Sequence, residues 1–311
     1  MNWLLWRQHR SQALVTGVAI ALFGAAVLPT GVHMAHIYDA ARACSANGTC
    51  GFSGNLFSGY GAIVDLVHLS IVVPVLLGVF LGATLIARET EHATNVLVWT
   101  QTVTRRHWLF AKVGTALAAT VIVSAAVSAL VTWWSGTPNA LYGNRFEGAQ
   151  FDTQNVVPIA LAVFAVALGL AAGSVLRRTL PALATTVGIY GVVGVLVSVY
   201  LRPHYMKAVT RSFAFAGGVD LPSGSWVLSQ HVVDASGHTA DGPISIPDSC
   251  RATVNRAGAD RCLSRLGYRN VVRFQPASHY WQFQWTEAGL YVVLAAALLA
   301  IAIVHTLRHD A

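Results

Sequence analysis

The feature that most limits what this chain can become is a series of long apolar runs with almost no charge inside them. They cover residues 13–28, 63–87, 113–134, 158–176, 181–200 and 288–307. A bilayer core of about 30 Å takes roughly 20 apolar residues per crossing helix, and inside lipid a helix is the segment that satisfies its own backbone. Charge is correspondingly scarce: 11% of residues are charged and 55% are apolar, where an average soluble domain has about 25% charged. The fold class expected is an all-α membrane protein of six transmembrane helices, with both termini on one side and a long segment outside before the last helix.

Orientation follows from Lys and Arg near short loops. One side collects Arg7, Arg10, Arg88, Arg105, Arg106, Lys112, Arg177, Arg178 and Arg308, while the two short loops opposite hold only Arg42 and Arg145. The basic side is read as cytoplasmic, so the net charge of +7 reports orientation. No Lys/Arg stripe with interleaved aromatics appears, so nucleic acid is not an expected partner. The first run could be a cleaved signal peptide, but its length favours a retained anchor. Residues 1–11 combine Trp3 and Trp6 with Arg7 and Arg10 and suit either an interfacial segment or a plain positive flank. The domains expected are 1–11, then 12–201 with five spans, an outer segment 202–282, and the last span with its tail, 283–311. Pro74 should kink the second span, while Pro158 sits where a first helical turn accepts it.

The polar island 88–112 separates the second and third runs. Ala93, Val96, Leu97 and Thr100 recur at helical spacing, with Glu91, Thr94 and Asn95 roughly opposite. Arg105, Arg106 and Lys112 close it. Spacing alone leaves two readings open: a cytoplasmic docking helix, or a positive loop that sets orientation.

The residues Arg88-Glu89-x-Glu91, Thr94, Leu97, Trp99-Thr100-Gln101, Thr104-Arg105-Arg106 and Lys112 resemble the coupling-helix region of ABC-2 type transporter permeases. The chain has Ala93-Thr94 where such permeases often have Gly-Thr. The Trp/Arg start, the Arg177-Arg178 break and the stretch Gln284-Trp285-Thr286-Glu287-Ala288-Gly289 resemble that family too. The resemblance implies a membrane subunit of a bacterial ABC exporter in the plasma membrane. By that implication it docks a separate ABC ATPase through Glu89, Glu91, Thr94, Leu97 and Arg105. It would pair as a homodimer or with a related permease, and part of the outer segment could fold back into the lipid bilayer. ATP and Mg would belong to the ATPase. The chain has no Walker A pattern, since neither Lys112 nor Lys207 follows a glycine loop, and no cofactor of its own is expected.

Cys44, Cys50, Cys250 and Cys262 all fall outside on this topology, where disulfides persist. Four cysteines allow three connectivities; Cys44–Cys50 and Cys250–Cys262 close the shortest loops. A metal site with His33 and His36 is the alternative; the lack of any Cys-x2-4-Cys spacing counts against it.

Enzyme chemistry has thin support. His33, His36 and Asp39 share a helix face by three-residue steps, Asp65 and His68 open the second span, and Glu287 opens the sixth. HExxH and GxSxG are absent. Asp65 and Glu287 either face the bundle or a path through it, as intramembrane acids often do, or reach out to the interface. Gly78 with Gly82, Gly169 with Gly173, and the series Gly188, Gly191, Gly194 are small-residue spacings that allow close helix packing. A non-transporting sensor that docks an ATPase predicts the same topology as a permease, and an outer-face membrane enzyme is the third reading.

Overall fold

A computed structural model describes residues 2–46, 58–91, 104–142, 145–146, 148–239, 247–251 and 256–309. Among the described residues six helices are long and apolar enough to cross a membrane: Leu14–Cys44, Gly61–Arg88, Arg106–Trp134, Val157–Leu176, Thr179–His204 and Ala277–Arg308. They are called spans one to six. Chain direction alternates along them, so residues 135–156 and 205–276 lie at one end, the sheet end. Glu91, Thr104, Arg177, Arg178, the start of the first helix and the end of the last described helix lie at the other, the tail end.

The fourth span is the hub. Of its most apolar stretch 78% is buried, against 17% for the first, fifth and sixth. Its composition explains this. Val-Pro-Ile-Ala-Leu-Ala-Val-Phe-Ala-Val-Ala-Leu-Gly-Leu-Ala-Ala-Gly is apolar on every face, the mark of a helix surrounded by others. Small residues let those neighbours approach. A Cβ on Gly169 would collide with the Gly78 carbonyl oxygen, and one on Gly82 would lie 2.6 Å from the Val166 carbonyl oxygen. The two Gly-x3-Gly spacings therefore pack against each other, second span on fourth. Gly188, Gly191 and Gly194 meet nothing within 4 Å among the described residues.

The second span is not one regular helix. Ordinary helix at Gly61–Leu69 tightens into a 3-10 turn at Ser70–Val72, restarts with Pro74 in its first turn, and widens into a π-type turn at Gly78–Ala83. Proline has no N–H to give the preceding turn, and the Ser70 hydroxyl donates to the Val67 carbonyl at 2.6 Å beside the irregularity. The wide turn coincides with the glycine seam, where backbone replaces side chains as the packing surface.

The first helix runs from Asn2 to Ala46 without a break, where the hydropathy of the sequence ended the first span near residue 28. Alanines, His33, His36 and Asp39 continue the helix because nothing in them stops it; Pro29 lies inside it. Residues 205–276 add an antiparallel sheet of order β1-β3-β2, with β1 Val209–Ala214, β2 Trp226–Val233 and β3 Arg269–Gln275. This element lies outside the all-α expectation. Asn270, Val272 and Phe274 of β3 are buried while Arg269 and Arg273 are exposed, the period of two that a half-covered sheet requires. Cys250 and Cys262 are brought together, Cα atoms 5.6 Å apart, between Asp248–Arg251 and Arg256–Arg265. Cys44 is also paired; Cys50 lies outside the described residues.

Candidate functional sites at the two ends of the bundle

At the sheet end, the fifth span widens into a π-type turn at Leu196–Leu201 just before Arg202. π-type turns often mark functional positions in helices, and this one precedes an arginine that is only 2% exposed. The guanidinium meets Glu287 of the sixth span as a two-point fork, Nε to Oε2 at 2.9 Å and Nη2 to Oε1 at 2.7 Å. Nη2 also donates to Asp152, in the short helix Gly148–Thr153. The Phe151 ring lies 4.3 Å from the guanidinium carbon. Planar arginine suits such a fork and stacks on aromatics. Phe146, Phe151, Tyr280 and Phe283 pack around the cluster with ring centroids 5.4 to 6.4 Å apart.

With both carboxyls ionised, this buried cluster carries one negative charge in excess. Burial pushes the Asp152 carboxyl up to about 6; Arg202 opposes the rise and Glu287 adds to it. Asp152 therefore holds its proton more readily than a free aspartate would.

The same end is tied by a second polar network. Gln284 Oε1 accepts from the backbone N–H groups of Val156 and Val157 at 3.2 and 3.1 Å, and so satisfies donors left over at the start of the fourth span. Asn155, in left-handed backbone with φ 62°, donates from its amide to the Tyr280 hydroxyl at 2.8 Å, and its N–H donates to Thr132 Oγ1 at 2.8 Å. A cavity of about 120 Å³ lies nearby, lined by Met34, His68, Trp134, Gln150 and Gln154 among others.

At the tail end, Glu91 reaches the start of the fifth span. Its Oε2 accepts from the Thr179 backbone N–H at 2.9 Å and from the Thr179 hydroxyl at 2.6 Å. Across the gap, Thr104 caps the third span by accepting from the His107 N–H at 3.4 Å. Lys112 is buried with its ammonium 4.5 Å over the Trp108 ring.

The sequence-predicted residues fall as follows. Glu287 is buried and ion-paired rather than turned to the interface. Asp65 is exposed on the second span and takes no part in the cluster. Glu89 lies in the helix that ends at Glu91 and Arg105 opens the third-span helix; Thr94 and Leu97 lie outside the described residues. His33, His36 and Asp39 are exposed along the first helix. Among the described residues no group of three or more His, Cys, Asp and Glu is arranged to hold a metal ion. Arg202 and Asp152 escaped the sequence reading. The signal was there in part: an arginine ending the fifth apolar run and a glutamate opening the sixth must reach the same depth at the same end.

Six packed spans with charge confined to the bundle ends define a multi-pass helical membrane protein. The profile of the ABC-2 membrane transporter related family matches residues 17–202, which is more than half of the chain, and the chain belongs to that family. It is thereby a permease-type membrane component of an ABC transporter, and membrane subunits of this family work with an ABC ATPase partner. No curated protein and no solved structure gives a significant match.

Proposed function

We propose that this chain is the transmembrane subunit of an ATP-driven exporter, moving a substrate out of the cytoplasm or the inner leaflet. A separate ABC ATPase, which binds ATP and Mg, drives it. The observation that carries this reading is the family match itself, which runs unbroken through five spans and includes the segment between the second and third. The tail end is cytoplasmic and the sheet end faces outward. Arg88, Arg106, Arg177, Arg178 and Arg308 cluster at the first, and the paired Cys250 and Cys262, read as a disulfide of an oxidising compartment, sit at the second.

Of the five expected coupling residues Glu91 is engaged by Thr179, so docking falls to Glu89, Thr94, Leu97 and Arg105, on either side of and within 92–103, in a bacterial plasma membrane. The first and fifth spans expose large apolar side chains, Leu14 at 68%, Leu180 at 78% and Val192 at 60%. These faces meet lipid or a second permease half, as a homodimer or a related chain, because a path between two halves needs both.

The test is affinity purification from native membranes in mild detergent. Wild type should bring down a stoichiometric ATPase, and a Glu89→Ala, Leu97→Ala variant should lose it. ATP-dependent extrusion of candidate substrates from inverted vesicles then separates a permease from a sensor that docks the ATPase and moves nothing.

A further inference from the structure

Three features at the tail end bind the second, fourth and fifth spans together. The first is the glycine seam, continued toward this end where a Cβ on Gly173 would lie 2.8 Å from the Ala83 carbonyl oxygen. The second is a small-residue cluster in which Ala83, Ala87, Ala172 and Ala182 pack with Leu183, one element from each span. Packing between small residues brings backbones close and leaves little freedom to slide. The third is the two-residue corner from the fourth span to the fifth. Arg177 takes left-handed backbone with φ 52°, its N–H bonded to the Gly173 carbonyl at 3.1 Å, and Arg178 is extended.

Glu91 closes this arrangement from the far side. It is the last described residue before 92–103, and its carboxylate accepts two hydrogen bonds from Thr179, the first residue of the fifth-span helix. The first N–H groups of a helix lack partners within it, and a carboxylate there is favoured by the positive end of the helix dipole. The cap comes from another span, so it joins two helices rather than trimming one.

We infer that Glu91 is a positioning residue that fastens the second span to the fifth, so that the second, fourth and fifth spans answer as one body to force entering through residues 92–103. This rests on the reading that 92–103 docks the driving ATPase. It assigns Glu91 an internal role and leaves docking to its neighbours.

The experiment places nitroxide labels on Arg88→Cys and Leu180→Cys in the full chain in lipid nanodiscs, with the native cysteines kept oxidised, and measures their separation by pulsed electron resonance. The wild-type background should give one narrow distance, unchanged when the ATPase complex is trapped with Mg, ATP and vanadate. Glu91→Ala should lose the narrow distribution while still bringing down the ATPase. Glu91→Gln, whose amide oxygen still accepts, should keep it and so serve as the folded control. A distribution as narrow in Glu91→Ala as in wild type overturns the inference, and so does a wild-type distance that shifts on trapping. Loss of the ATPase from Glu91→Ala with a narrow distance retained would return Glu91 to the docking surface. Absence of an ATPase from wild type overturns the underlying reading instead, and is seen in the purification before any label is placed.

Discussion

Removing the Arg202 side chain should damage the fold more than removing the whole charged cluster. Arg202 is 2% exposed and Glu287 fully buried, and three donor contacts join the guanidinium to Glu287 and Asp152. In Arg202→Met the volume is roughly kept, but Glu287 is left as a fully buried carboxyl without its partner, beside a half-buried Asp152. Leaving one partner of a buried ion pair costs about 3–5 kcal/mol, whereas exchanging the whole set for apolar residues of similar size is often neutral or favourable. The assay is reversible unfolding in mixed detergent micelles. Arg202→Met should lose about 3–5 kcal/mol, and the triple variant Arg202→Met, Glu287→Leu, Asp152→Leu should recover most of it. A loss below about 1 kcal/mol for the single variant would mean that water reaches Glu287 once its partner is gone, and the account of a buried Arg202–Glu287 clasp would be refuted.

Three further outcomes follow from the same geometry. Asp152 binds its proton more tightly folded than unfolded, because burial lifts its carboxyl to about 6; it therefore supports the fold below about pH 4 and loses that support, about 3 kcal/mol in all, as pH rises through 6. Asp152→Asn should erase this slope, seen as a wild-type-minus-variant stability difference that changes between pH 4 and 6.5. Gly169→Ala places a methyl against the backbone of the second span and should cost about 1–3 kcal/mol by overpacking, whereas Gly191→Ala, with open space around it, should change unfolding little. Gln284→Leu removes the acceptor for two N–H groups at the start of the fourth span and should cost about 1–3 kcal/mol in the same assay.

The membrane body was legible because apolar length is a one-dimensional property. Each span could be marked from its own residues, while the central place of the fourth became visible only in the structure, where its lack of a polar face finds its reason. Gly78, Gly82, Gly169 and Gly173 could be singled out, yet their meeting could not, since spacing fixes a face and not its partner. The sheet was hidden for a related reason. β1 pairs with β3 across about sixty residues, Val209 with Phe274 and Ala214 with Arg269, and the alternation in each strand is short and interrupted by arginines. Arg202 and Asp152 read as ordinary polar residues beside the membrane, because burial of a charge is decided by what three separate segments do together. Glu91 drew attention as an acid of the docking segment. Its bond to Thr179, 88 positions away in sequence, could be seen only once the second and fifth spans were side by side.

The most direct test of the central claim is to ask where the ATPase touches this chain in its own membrane. A photo-crosslinking amino acid placed at Leu97, and in a separate variant at His231 on β2 of the sheet, would be activated in intact cells and the adducts identified by mass spectrometry. The account predicts an adduct to a Walker-containing ATPase from position 97 and none from position 231. An ATPase captured at position 231, or no ATPase captured at 97 while the protein remains in the membrane at normal abundance, would contradict it.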